Sequence, residues 1–166
     1  MKTCFALVCT ILLCVSVCNA QVNSKPKLKA VSLELGKTGL IYNLDFDHKL
    51  VNKNFGFRLG AGSNLGQHLN VISVGGGGYH LVGSKNKFFE LGLDIQYLLV
   101  DEESDDQKGF ASILVYPDYS INTLYPSLKI GYRRYGKNTL FRAGLSPGLI
   151  NSELIPGGYI SYGFAF

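Results

Sequence analysis

The chain has 166 residues, 46% of them hydrophobic, with a formal net charge of +4, 20 glycines and four cysteines. That length suits a single domain, and so small a charge balance, with no basic cluster, argues against a nucleic-acid partner. After the first twenty residues no apolar run reaches 18, the length a membrane-spanning helix needs.

The opening segment, MKTCFALVCTILLCVSVCNA, places Lys2 before an apolar stretch from Cys4 to Val17 and closes on Cys18-Asn19-Ala20, a small-x-small cleavage pattern. Residues 1–20 therefore read as a secretory signal and 21–166 as the mature domain. A lipoprotein signal is disfavoured, because Val17 precedes Cys18 and Leu13 precedes Cys14 where acylation needs a small residue. Cys4, Cys9, Cys14 and Cys18 all lie in this segment. The domain after it is expected to hold together by burial and hydrogen bonding, without disulfides.

From residue 29 onward apolar residues recur at every second position, the period of a strand, and Gly, Asn, Lys and Pro clusters separate the segments. Eight strands are predicted in order: KAVSLEL (29–35), LIYNLDFDH (40–48), NFGFRLGAGS (54–63), LNVISVGGGGYHLV (69–82), NKFFELGLDIQYLLV (86–100), INTLYPSLKIGYRR (121–134), NTLFRAGLSP (138–147) and PGGYISYGFAF (156–166). Between the first two, Lys37 to Gly39 fits a turn or a bulge. Val31, Leu33 and Leu35 are odd while Leu40, Tyr42, Leu44 and Phe46 are even, so a continuous strand would swap its faces, and a turn removes the conflict. Connections alternate in length. HKLVNK (48–53), GSK (83–85) and GKN (136–138) are short, whereas GSNLGQH (62–68), DEESDDQKGF (101–110) and PGLINSELIP (147–156) are longer. LVYPDYS (114–120) either extends the sixth strand or belongs to the long loop.

One face of each central strand is apolar and the other carries charge or glycine. The fifth sets Phe89, Leu91, Leu93, Ile95, Tyr97 and Leu99 against Glu90, Gly92, Asp94 and Gln96. Leu128, Ile130 and Tyr132 oppose Lys129, Gly131 and Arg133; Phe141 and Ala143 oppose Arg142; Phe55, Phe57, Leu59 and Ala61 oppose Arg58 among Gly56, Gly60 and Gly62. In a soluble sandwich or a lipocalin-like barrel binding an apolar ligand, the apolar faces would meet inside. A wetted face, however, is usually dense in Lys, Glu and Thr, while glycine and isolated charges of both signs suit the cramped interior of a small closed barrel. Glu34, Asp45, Asp47, Glu90 and Asp94 nearly balance Arg58, Lys129, Arg133 and Arg142. Near-neutral pairing is what an enclosed lumen requires, because a lone buried charge costs several kcal/mol.

The final residues, YISYGFAF, alternate aromatics at Tyr162, Phe164 and Phe166. This ending resembles the carboxy-terminal signal read by the outer-membrane assembly machinery, with Ser161 standing where that signal prefers glycine. Taken with the signal segment, the strand parity and the loop asymmetry, the domain resembles small eight-stranded outer-membrane proteins of the OmpX, OmpA-barrel and OmpW kind. The resemblance implies an all-β, eight-stranded antiparallel up-and-down transmembrane barrel in a Gram-negative outer membrane, in contact with its lipid and lipopolysaccharide. It also implies a polar, plugged lumen, aromatic girdles at Tyr42, Tyr97, Tyr132, Tyr162 and Phe166, and a structural or adhesive role exercised through the loops, without enzymatic activity. Oligomeric state is left open.

A few barrels of this class modify lipid A, so a hydrolase or acyltransferase is the rival reading. His48, His68 and His80, with Ser63, Ser73 and Ser161, supply the residue types of a hydrolytic triad. His80 is the candidate of most interest, since the mixed parity of its strand permits it to face inward. Asp101, Glu102, Glu103, Asp105 and Asp106 offer carboxylates to a divalent cation, without the regular spacing of a calcium loop. SVGGGG (73–78) and LGAGSNLG (59–66) lack the strand-to-helix setting of nucleotide-binding loops, so no cofactor is expected.

Overall fold

A computed structural model of the chain describes residues 28–36, 42–51, 53–63, 69–102, 123–150 and 153–166. The signal segment, His68, the acidic residues Glu103, Asp105 and Asp106, and LVYPDYS lie outside the described residues. Among the described residues ten strands follow one another: β1 (Lys29–Gly36), β2 (Tyr42–Lys49), β3 (Phe55–Ser63), β4 (Leu69–Ser84), β5 (Lys87–Glu102), β6 (Thr123–Tyr135), β7 (Thr139–Leu145), β8 (Gly148–Ile150), β9 (Glu153–Ile155) and β10 (Gly158–Ala165).

Every pairing is antiparallel. Neighbours in sequence pair in turn from β1 to β7, and β10 pairs with both β7 and β1, which closes the sheet. β8 and β9 are continuations of β7 and β10. Leu128 N–H donates to the Pro147 carbonyl at 2.8 Å, Ser146 N–H to that of Gly157 at 2.8 Å, and Ser127 faces Gly148. The barrel thus has eight staves, and β8 and β9 form a hairpin that lengthens two of them. The segment 147–156, expected as a loop, is this hairpin. Pro147 and Pro156 cannot donate to a ladder, so they interrupt the staves without ending them. Leu35 faces Tyr42 across an antiparallel pair, so the chain reverses between β1 and β2; Lys37 to Gly39 lie outside the described residues. Asp101 and Glu102, expected in the loop, lie on β5 opposite Asn70 and Leu69.

Register fixes the barrel's dimensions. A row of cross-strand partners runs from Phe88 through Arg133, Arg142, Ser161, Glu34, Asn43, Gly62 and Ser73, and returns to β5 at Leu98, ten residues beyond its start. Eight staves with that stagger tilt by about 40° and enclose a backbone radius of about 8 Å, which side chains can fill. Along β10 buried and exposed residues alternate without a break, and along β1 they do so from Lys29 to Leu35.

The same alternation explains the glycines. A Cβ on Gly60 would strike Asp45, on Gly62 Asn43, on Gly77 Asp94, and on Gly131 the Tyr159 hydroxyl. Gly60, Gly62 and Gly77 clear space for a polar side chain of the adjacent strand, and Gly131 for Tyr159 of β10. The short turns 50–54, 85–86 and 136–138 share one end of the barrel with Leu28 and Phe166, here called the terminus end. Inside this end Ala30, Tyr79, Leu81, Phe88, Tyr135, Leu140 and Ala165 form a buried cluster.

Candidate functional site: the ionic lumen

The nine ionic residues singled out in the sequence occupy the barrel interior, each at most 1% exposed. They come from six staves, and geometry joins them into one chain of alternating sign. Asp47 accepts from Arg133 Nη1 at 3.1 Å and Nη2 at 2.7 Å. Arg133 Nε donates to Glu90 at 2.6 Å, and the other Glu90 oxygen accepts from Arg58 at 3.0 Å. Arg58 reaches Asp94 at 3.4 Å, and Asp94 lies 3.6 Å from Lys129 Nζ. Lys129 donates to both oxygens of Glu34 at 2.7 and 2.8 Å. Glu34 accepts from Arg142 at 3.2 Å, and Arg142 ends the chain on Asp45 at 2.9 Å.

This order resolves a conflict built into the register. Arg133 and Arg142 are direct cross-strand partners on the inner face, an arrangement that repulsion disfavours. Their guanidinium groups turn to different acids, Arg133 to Asp47 and Glu90, Arg142 to Glu34 and Asp45. Uncharged groups add contacts to the ionic ones. Tyr79 donates to Asp47 at 2.6 Å, Arg133 donates to Tyr135 at 2.8 Å, and Arg142 donates to Ser161 at 3.1 Å and Ser32 at 3.3 Å. The Arg133 guanidinium lies 4.0 Å from the centre of the Tyr79 ring, and Lys129 Nζ 4.5 Å from that of Tyr159, within reach of cation–π attraction.

The chain begins and ends on an acid, five acids to four cations. Lys49, absent from the sequence-based set, is buried in the same lumen at the terminus end, 5.9 Å from the Phe88 ring centre, and brings the cations to five. Sequence reasoning placed it in a turn; the parity of Asp45 and Asp47 on the same strand is the signal that finds it. Toward the other end, Asn43, the Ser73 hydroxyl and the Ser127 hydroxyl are buried without hydrogen-bond partners among the described residues. The lumen is therefore graded: apolar at the terminus mouth, ionic at mid-depth, neutral and polar beyond.

Among the described residues, those of a hydrolytic triad are not brought together. His80, which the mixed parity of its strand would have permitted to face inward, faces outward, and its ring lies 4.5 Å from that of Phe55. His48 also faces outward, 5.1 Å from Phe57. Ser73 and Ser161 point into the lumen and are separated by the barrel wall from both rings. His80 and Tyr79 belong to one unbroken alternation in which Ser73, Tyr79 and Leu81 face in; four consecutive glycines conceal that parity in the sequence. Among the described residues, no group of three His, Cys, Asp or Glu could hold a metal ion.

On the outer wall, Phe89, Leu91, Leu93, Ile95, Tyr97 and Leu99 of β5 are all exposed, as are Tyr162, Phe164 and Phe166 at the end of the chain. All five acids whose side chains are described lie inside. This polarity is the inverse of a soluble lipocalin-like barrel, whose apolar side chains fill the interior.

No protein-family model matches the sequence, and no curated protein does. Among solved structures, the chain is similar to the outer membrane protein Ail of Yersinia pestis in a phospholipid bilayer nanodisc, with a TM-score of 0.49 and 10% identity over 84% of this chain and 99% of that one. It is similar to the crystal structure of the same attachment invasion locus protein, with a TM-score of 0.45 and 10% identity over 86% of this chain and 100% of that one. It is also similar to Neisserial surface protein A, with a TM-score of 0.45 and 12% identity over 82% of this chain and 92% of that one.

Proposed function

We propose that the chain is a non-enzymatic outer-membrane barrel of a Gram-negative cell, exported by residues 1–20, plugged by its luminal ions, and acting structurally or adhesively through the loops opposite the terminus end. One observation carries the reading: ionic side chains enclosed and apolar side chains exposed around the same closed sheet. Water rewards the reverse, and only hydrocarbon stabilises this arrangement, because a closed barrel satisfies its backbone internally. The dimensions agree. From Phe89 to Leu99 the outward face of β5 is apolar, and ten residues at about 3.3 Å each, tilted by about 40°, span about 25 Å, the height of a barrel's lipid-facing band.

The plug follows from volume and charge. A radius of about 8 Å leaves room for side chains only, and the alternating ions occupy the mid-depth section. Tyr162, Phe164 and Phe166 act as the signal for the assembly machinery, and lipid with lipopolysaccharide surrounds the wall. Refolding into phospholipid vesicles tests the reading. The folded chain should migrate differently from the boiled one on a gel, sediment with the vesicles, and give no large steady conductance in a planar bilayer. A monomer that stays in the aqueous phase without detergent would overturn membrane residence, and a large steady conductance would overturn the plug.

A further inference from the structure

The outer wall at the terminus end carries a feature that the ionic lumen and the apolar band leave unexplained. Lys87 on β5 and Arg134 on β6 are direct cross-strand partners. Both share the outward parity of Phe89 and Tyr132, which form the next outward pair up the same two strands. Like charges placed opposite each other on one face of a sheet are destabilising. In the lumen, the Arg133–Arg142 pair is relieved by acids; on the outer wall no acid is present among the described side chains, all five facing inward.

Two more cations join this pair. The turn between β4 and β5 presents Lys85, and the adjoining turn between β6 and β7 presents Lys137, both exposed. The turns are tied together, since Tyr135 N–H donates to the Asn86 carbonyl at 2.8 Å. Lys85 holds a positive φ of 62°, a conformation that L residues other than Asn and Asp seldom adopt. Four cations therefore gather on one side of the terminus rim. Lys87 and Arg134 sit two residues beyond the aromatic pair Phe89–Tyr132, about 5 Å further along the barrel axis, which is headgroup depth if that pair marks the hydrocarbon boundary.

We infer that Lys85, Lys87, Arg134 and Lys137 form a docking surface for the phosphate of an anionic phospholipid headgroup in the leaflet on the terminus side. A phosphodiester between Lys87 and Arg134 supplies the counter-charge their register requires; Arg134 engages it through the planar guanidinium fork and the lysines as point charges. The inference rests on the membrane reading given above, which supplies the leaflet.

Its test is lipid selectivity. The folded barrel is placed in phosphatidylcholine vesicles with trace spin-labelled phosphatidylglycerol, phosphatidylcholine or stearic acid, and the motionally restricted fraction of each is measured. The wild-type protein should immobilise phosphatidylglycerol in preference to phosphatidylcholine. K87Q/R134Q should lose about fivefold of that preference per cation removed, and 1 M salt should abolish it. The turn variant K85Q/K137Q, which leaves the strand ladder untouched, should weaken it in the same direction, while Lys29→Gln on β1 should not. Equal immobilisation of the two phospholipids by the wild type, or a preference that survives K87Q/R134Q and K85Q/K137Q alike, overturns the inference while leaving the membrane reading intact. Capture of a soluble anionic polymer with no phospholipid preference overturns it as well. Absence of any restricted signal, stearic acid included, overturns the membrane reading and this inference together.

Discussion

Leu93→Arg is the substitution that separates a lipid-facing wall from a wetted one. Leu93 is 58% exposed on β5, four residues from Phe89 and six from Leu99. At about 3.3 Å per residue and a tilt of about 40°, those steps place it about 10 Å from one edge of the apolar band and about 15 Å from the other, close to the midplane. An arginine there should cost about 2 to 4 kcal/mol. On a water-exposed strand the same change would stay within about 0.5 kcal/mol. Leu154, 75% exposed in the β8–β9 hairpin at the end of the barrel opposite the terminus end, is the internal control; arginine there should cost about 0 to 1 kcal/mol. The chain has no tryptophan, so urea unfolding in vesicles is followed by circular dichroism and by the shift between unboiled and boiled gel bands. Equal tolerance of arginine at Leu93 and Leu154 would refute the assignment of the apolar face to hydrocarbon.

In the lumen, Glu90→Gln should cost about 3 to 5 kcal/mol by leaving two guanidinium groups short of charge. Asp94→Asn should cost less, because its contacts at 3.4 and 3.6 Å are longer than the 2.6 and 3.0 Å contacts of Glu90; unfolding midpoints in vesicles rank the two. Adjacent glycines should respond in opposite ways. Gly77→Ala drives a methyl into Asp94 and should cost about 1 to 3 kcal/mol, whereas Gly78→Ala enters open space on the outer face and should be neutral or gain about 0.5 kcal/mol. Phe166→Ala removes an exposed ring with no luminal contact; refolding in vesicles should be unchanged while the amount inserted in the outer membrane of intact cells falls.

The fold was legible wherever each strand carries its own parity. In β5 every second residue from Phe89 to Leu99 is apolar and the intervening ones are Glu, Gly, Asp, Gln and Leu98, so the two faces declare themselves. In β4 the glycines from Gly75 to Gly78 carry no such information, and the facing of His80 emerges only from its register with Phe55 and Leu91. The hairpin of β8 and β9 was hidden by prolines that read as loop markers but sit where the ladder skips. Luminal charges were readable as a set, since parity alone places them; their order was not. Which acid meets which cation depends on the ten-residue stagger, a property of the closed sheet as a whole. The same limit applies to the terminus mouth, where Leu81, Phe88 and Leu140 turn inward against the prevailing pattern.

An apolar interior would fill the same volume, so the ions need a reason of their own. In a barrel whose wall and interior were both apolar, sliding one strand by a single residue would exchange its faces at little expense in hydrocarbon, because neither set of side chains prefers water. The alternating chain removes that degeneracy. A one-residue slip of β7 would turn Arg142 out to lipid and strand Asp45 and Glu34 inside; a two-residue slip keeps Arg142 inside but moves it about 6 to 7 Å along the strand, out of reach of both acids. Each stave except β4 and β10 contributes a member of the chain, and those two carry Tyr79, bonded to Asp47, and Ser161, bonded to Arg142. Every stave is thus tied to its register by at least one contact that hydrocarbon cannot replace, and inward glycines such as Gly60 and Gly77 hold the space in which those contacts form.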